Sequence, residues 1–199
     1  MKTYLVPQVS GEPDWDAVPA ASIDTLQWSP PVPVRAEARL CWDRDALLVR
    51  LRAWEPAVRA VHRGRLCAVC EDSCLEFFLR PGADLRYLNF EFNPNCALYL
   101  GIGTGMDNLV RLLPQDPGQL FRPKADRLPD GWQIRYRVPF SFLRVFFPAF
   151  APAAGLVLHG NFYKCGDRTE QEHYLAWSPL TSAVPSFHRP QDFGELILG

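Results

Sequence analysis

Apolar and polar residues alternate in short, turn-bounded runs along most of this chain. From Val34 to Trp42, the residues Val34, Ala36, Ala38, Leu40 and Trp42 share one side, and Arg35, Glu37 and Arg39 share the other. Period-two alternation predicts a half-buried strand. Asp43-Arg44-Asp45 turns the chain, and Ala46 to Trp54 returns with Leu47, Val49, Leu51 and Ala53 opposite Arg50, Arg52 and Trp54. The two runs predict a β-hairpin. Glu55-Pro56 ends it, because proline has no amide to give to a ladder.

The same reading continues downstream. Ser73 to Arg80 sets Leu75, Phe77 and Leu79 against Cys74, Glu76, Phe78 and Arg80, and Tyr87 to Asn93 sets Leu88, Phe90 and Phe92 against Tyr87, Asn89, Glu91 and Asn93. Pro94-Asn95 turns into a strand from Ala97 to Ile102. The turn Pro129-Asp130-Gly131 precedes a strand from Trp132 to Val138. Phe140 to Phe147 reads as a short aromatic helix or turn, and Leu156 to Lys164 as another strand. Near the start, Thr3 to Val6 is a strand candidate, Asp14-Trp15 a turn or helix start, and Asp24 to Trp28 is undecided. Residues 57–72, with Arg59, His62, Arg63 and Arg65, read as a solvated basic loop, and residues 104–130 as loop-rich with a strand near Phe121.

From His173 to Leu196 three prolines are mixed with Tyr174, Trp177, Phe187 and Phe193. Proline in that number forbids a regular helix. The segment predicts a short strand, a long loop and a closing strand from Gly194 to Leu198. Long loops of this kind are often functional. Many short strands with turn punctuation predict an all-β fold: a β-sandwich of two antiparallel sheets, immunoglobulin- or jelly-roll-like, with long loops and at most short helices.

Composition narrows the function. The 199 residues fit a single domain spanning 1–199, and a chain of that length buries a core without disulfide staples. With a net charge of −1, no electrostatic footprint for nucleic acid or an anionic membrane exists. The N-terminus shows no apolar run of signal-peptide length, so the expected location is cytoplasmic as the sequence stands, or extracellular if an upstream signal was removed. Six cysteines, Cys41, Cys67, Cys70, Cys74, Cys96 and Cys165, are expected to be reduced thiols. Cys67, Cys70 and Cys74 cluster, but no second CxxC follows to complete a zinc motif.

The catalytic signatures GxSxG, the P-loop, HExxH and the EF-hand are all missing from the sequence. LGIGTG follows a strand but opens no helix, which argues against a dinucleotide site. Glu76 and Glu91 fall on the polar faces of strands expected to be neighbours. Two carboxyls are what a glycoside hydrolase uses, but they equally serve a binding site by accepting hydrogen bonds from hydroxyls. Glu76, Asn89, Glu91, Tyr99, Asn161 and Tyr163 are expected to point from one side of a sheet, where an aromatic ring from the terminal loop would complete a sugar platform.

In order along the chain, AEARLCWDRDALLVRLRAWEP, EDSCLEFFL, YLNFEFNPN, DGWQIRYRVPFSFL, HGNFYKC and PSFHRPQDFGEL resemble the family 9 carbohydrate-binding modules. The resemblance implies a sandwich, often with bound calcium. It also implies non-catalytic binding of saccharide chain ends between two aromatic side chains, commonly in cellulose or xylan breakdown. By that resemblance Glu76 takes the family's acidic place, Phe187 takes one stacking place with His188 at the rim, and Asn89 lies near a polar sugar contact. The second stacking place falls at Cys67 to Cys70, which holds no aromatic. Trp177 is a further ligand candidate, with a core position beneath the loop as its alternative. Other readings are a hydrolase using Glu76 and Glu91, and a haem-binding sandwich of the DOMON type, which would need axial His or Met ligands.

Overall fold

The computed structural model describes residues 2–199. In chain order the elements are β1 (Thr3–Val6), β2 (Ala21–Ile23), β3 (Thr25–Gln27), β4 (Arg35–Trp42), β5 (Ala46–Trp54), β6 (Cys74–Arg80), β7 (Tyr87–Phe92), β8 (Leu98–Gly103), β9 (Val110–Arg111), α1 (Pro117–Phe121), β10 (Lys124–Leu128), β11 (Gly131–Pro139), α2 (Phe140–Phe146), β12 (Val157–Cys165), β13 (Tyr174–Ala176) and β14 (Gly194–Leu198). The strands form two sheets. One runs β1-β14-β12-β6-β7-β8-β9, with β13 pairing β12 and β3. The other runs β10-β11-β5-β4-β2. The ladders are antiparallel except that β1 lies parallel to β14.

The inward faces are those the alternation predicts. Leu40, Val49, Leu51, Trp132, Ile134 and Val138 from one sheet meet Leu75, Phe77, Leu88, Phe90, Phe92 and Phe162 from the other, and all are buried. Aromatic rings pack within and between the sheets: Phe77 stacks on its ladder partner Phe162 at 4.9 Å, and Phe92 meets Tyr136 of the other sheet at 4.7 Å. One end of the sandwich is closed by a polar knot. The Glu55 carboxylate accepts from Trp132 Nε1 at 2.8 Å and Ser73 Oγ at 2.9 Å, and the Lys164 ammonium lies 3.2 Å from it.

Several local features depart from the sequence reading. The region near Phe121 is helical, not extended: Pro117 opens α1 and the Asp116 carboxylate caps it, accepting from Gln119 N at 2.8 Å. The strand in that region is β10, which pairs with β11 and begins after Arg122 reverses the chain at φ +49°. The 57–72 loop is anchored rather than freely solvated. Asp72, fully buried, accepts from the amides of Val61 and His62 and from Asn93 Nδ2, and its carboxylate lies 3.3 Å from Arg59 Nε.

The largest difference concerns the outer face of the first sheet. β6 is buried on both faces from Cys74 to Leu79, and β7 throughout. The face expected to meet solvent lies beneath a second apolar layer of Val69, Phe78, Tyr87, Tyr163, Phe187 and Phe193, contributed by strands and the long loops above them. Among the described residues, no helix is long and apolar enough to cross a membrane.

Candidate functional site

Where the second layer parts, a cleft of 370 Å³ opens over β6, β7, β8 and β12. Glu76, Glu91, Tyr99 and Cys165 lie at its floor. Trp28, Tyr174 and Phe187 make an aromatic wall, while the 66–70 segment, Met106, Arg111 and Asp167 bound it elsewhere. The Arg111 guanidinium stacks over the Tyr99 ring at 4.3 Å, and its Nη2 donates to the carbonyls of Arg65 and Cys67. Arg111 thereby joins the floor to the rim.

Glu76 and Glu91 are directly opposed on neighbouring strands. Both are nearly inaccessible, at 2% and 7% exposure. Burial raises the Glu91 carboxyl to about 7, reinforced by the charge of Asp167 and opposed by the hydrogen bond from Asn89 Nδ2 at 2.6 Å. Burial and the neighbouring Glu91 charge push Glu76 well above the usual carboxylate range. Burial thus favours the protonated forms of this pair, in which a carboxyl can donate as well as accept a hydrogen bond. Burial also raises Asp167.

Of the nine residues singled out from the sequence, the structure brings five together: Glu76, Glu91, Tyr99, Phe187 and His188 line the cleft. Asn89 does not. It is fully buried one step behind, where it holds Glu91, and Gly101 opposite it has no room for a side chain because an added Cβ would lie 2.5 Å from Asn89 Oδ1. Trp177 is corrected to a core residue. It is 3% exposed, packs on Phe162 at 5.6 Å between the sheets, and presses its ring edge on Gly194, where an added Cβ would lie 2.5 Å away. Asn161 and Tyr163 are likewise committed to structure: the Asn161 amide brackets the backbone of Ser178, and Tyr163 Oη donates to the Phe187 carbonyl.

Phe187 is not an open platform on both faces. One face lies flat on Tyr163, 4.1 Å away with planes 5° apart, and the ring is 8% exposed. His188 Nδ1 lies 2.8 Å from Tyr87 Oη. Burial lowers the imidazole to about 4, so the ring is neutral. Nδ1 is committed to the tyrosine hydroxyl, which leaves Nε2 as the nitrogen available to a ligand.

The residue that sequence reasoning missed is Trp28. Its ring lies 5.7 Å from Phe187 and 5.9 Å from Tyr174, and its Nε1 donates to Ser182 O. β3 pairs with β13, setting Gln27 opposite Tyr174 and delivering Trp28 to the wall. The cleft's aromatic complement is thus supplied by the chain's beginning, not by Cys67 to Cys70.

The match of residues 12–198 to the family model for carbohydrate-binding family 9 settles the membership. The chain belongs to carbohydrate-binding family 9. Solved structures agree in fold. A candidate carbohydrate-binding protein from Bacteroides uniformis is 26% identical and superimposes with a TM-score of 0.85, over 100% of this chain and 99% of that one. A family 9 module from Caldicellulosiruptor kristjanssonii in complex with glucose is 19% identical, with a TM-score of 0.72 over 100% and 96% of the two chains. A family 9 module from the same organism in complex with cellotriose is 18% identical, with a TM-score of 0.71 over 99% and 93%. No functionally curated protein matches the sequence. Family 9 membership replaces the DOMON-type alternative.

Family 9 resemblance brings calcium with it as an expectation, and the cluster at the cleft floor does not suit that ion. Calcium takes six to eight oxygen ligands. Among the described residues the one cluster of His, Cys, Asp or Glu with converging ligand atoms is Cys74, Glu76 and Cys165, in which two of three donors are sulfur.

Proposed function

We propose that this family 9 chain acts as a single saccharide-binding module that receives a glucan chain end, of the cello-oligosaccharide kind, in the cleft above Glu76 and Glu91. The observation that carries this reading is the combination of buried carboxyls on the floor with the Trp28–Tyr174–Phe187 wall. Sugars present hydroxyl edges and apolar C–H faces, and a site of fixed polar groups beside an aromatic platform meets both. In this reading, Glu76 and Glu91 bond adjacent hydroxyls, His188 meets a hydroxyl through Nε2, and Trp28 rather than Trp177 offers the free aromatic surface. The complexes of the Caldicellulosiruptor modules with glucose and cellotriose support the choice of glucan. The cleft volume, near the lower end of the range of about 300–1,000 Å³ typical of ligand sites, favours a chain end over the flank of a polymer.

Binding is favoured over hydrolysis by the placement of the acids. Glu76 and Glu91 rise side by side from the same floor, whereas a glycosidase sets its two carboxyls on either side of the bond it cleaves. Calorimetric titration with glucose, cellotriose and xylotriose tests the proposal. Trp28→Ala and Glu76→Gln are each expected to weaken binding of the preferred sugar by about 10-fold or more, the equivalent of about 1.4 kcal/mol or more. Tight binding that neither change disturbs would place the sugar elsewhere.

A further inference from the structure

At and just beneath the floor of the cleft lie two sulfurs that saccharide binding does not use. β6 and β12 pair so that Cys74 and Cys165 are directly opposite each other. Glu76 is two residues along β6 and therefore on the same face. The ligand atoms of Cys74, Glu76 and Cys165 lie within 4.8 Å of one another, and all three residues are buried. Cys165 Sγ approaches Glu76 Oε1 to 3.0 Å. Both thiols are free.

We propose that Cys74, Cys165 and Glu76 form a site for a divalent metal of borderline softness, zinc in the first instance, with the fourth coordination position open to the cleft. Zinc is bound tetrahedrally at about 2.3 Å from sulfur and about 2.1 Å from oxygen, which sets neighbouring ligand atoms roughly 3.5 Å apart. The three groups already lie within 4.8 Å of one another, and their backbones are held by a continuous ladder, so side-chain rotation alone can bring them to a shared ion. Two sulfurs and one carboxylate select zinc over magnesium or calcium. Three protein ligands with a vacant fourth position is the arrangement of zinc centres that meet an exogenous group.

The open side is identified by the lining. Glu76 and Cys165 border the cleft and Cys74 does not, so the unfilled vertex faces the ligand space. Cys70 borders the same corner, with its carbonyl 3.8 Å from Cys165 Sγ and 3.0 Å from the Asp167 amide that donates to it. Loading the site breaks two S–H bonds, and the carboxyl O–H bond where Glu76 holds a proton. The released protons leave to solvent, and the dication accepts two thiolates and one carboxylate with no change in oxidation state. Glu76 then belongs to both ligands, so metal and saccharide compete for it. The metal proposal nonetheless stands independently of the saccharide reading, because it is tested without sugar.

The test is a titration of the full chain, reduced and metal-free, with Co²⁺ under anaerobic conditions, followed by Zn²⁺. The wild type is expected to develop the intense sulfur-to-cobalt charge-transfer absorption and the visible bands of a tetrahedral thiolate site. These should saturate at one equivalent and be abolished by one equivalent of zinc. Cys165→Ser and Cys74→Ser should each lose at least half of the charge-transfer intensity and weaken zinc binding by about 100-fold or more, beyond what loss of an outer-shell contact costs. Glu76→Gln should retain the sulfur band but weaken zinc, and this variant keeps the test decisive if a cysteine variant does not fold. Cys41→Ser, whose sulfur is buried elsewhere, should match the wild type. Failure of the wild type to show a thiolate band would overturn the proposal, as would a band that survives in both Cys74→Ser and Cys165→Ser.

Discussion

Glu91 shows how position moves the titration of an ordinary acid toward neutrality. A carboxyl that titrates at 4.5 when exposed is held at about 7 by burial. The native state therefore binds the proton more tightly than the unfolded chain. The stability this provides is fully present below pH 4.5 and is lost as pH rises through 7. His173 and His188 act in the opposite sense, since both are lowered to about 4 by burial and contribute stability above pH 6.5 that is lost as pH falls through 4. Glu91→Gln keeps an acceptor for Asn89 and removes the charge. The variant is expected to melt higher than wild type at pH 8, by on the order of 2–4 °C for each kcal/mol recovered, and to show little difference at pH 4. Melting curves at the two pH values check it, and an equal shift at both would contradict the assignment. The pairing of Glu76 with Glu91 follows from the alternation in two adjacent runs and is legible in the sequence. Their burial is not, because alternation distinguishes two faces of a strand without saying what covers the second.

At the scale of elements, the terminal segment from His173 to Leu196 behaves as its prolines require: a short strand, a long loop and a closing strand. Its aromatic residues divide according to which layer each strand enters. Trp177 follows β13 into the core, where Gly194 of β14 leaves room for its ring; Phe187 stays in the outer layer on Tyr163. Gly194→Ala would set a methyl 2.5 Å from the Trp177 ring and 2.6 Å from the Lys2 carbonyl. We expect a loss of about 1–3 kcal/mol in urea unfolding, since overpacking of a rigid interior is costly. Gly82→Ala, at a half-buried bend with open space around the added carbon, serves as the control. The helix α1 was hidden for a different reason. Five residues are too few for hydrophobic periodicity to register, and its only sequence mark is the Asp116-Pro117 cap.

For the whole molecule, the knot of Glu55, Ser73, Trp132 and Lys164 ties the two sheets at one end. Lys164 is on β12 of the first sheet, while Glu55 directly follows β5 of the second. Both side chains are effectively inaccessible, at 0% and 1% exposure. Removing one partner leaves the other buried and unpaired, so Lys164→Ala is expected to destabilise the fold by about 3–5 kcal/mol. Replacing both, as Lys164→Met with Glu55→Leu, should recover part of that loss, and chemical denaturation of the three proteins measures it. Recovery of nothing would mean that the knot acts through Trp132 and Ser73 alone.

The sequence by itself determined the longer strands β4 to β8, β11, β12 and β14, their inward faces and hence the sandwich, because period-two alternation and turn residues are local and each run carries its own evidence. It also placed Glu76, Glu91, Phe187 and His188 in one neighbourhood. Only the tertiary structure decided that the polar face of β6 and β7 is buried, that Trp177 is core, that Trp28 reaches the cleft from the far end of the chain, and that Cys74 and Cys165 meet beside Glu76. Each of these depends on pairing between segments distant in sequence, such as β3 with β13 and β6 with β12. Such pairing is set by the packing of the whole chain and leaves no mark on any one run of residues.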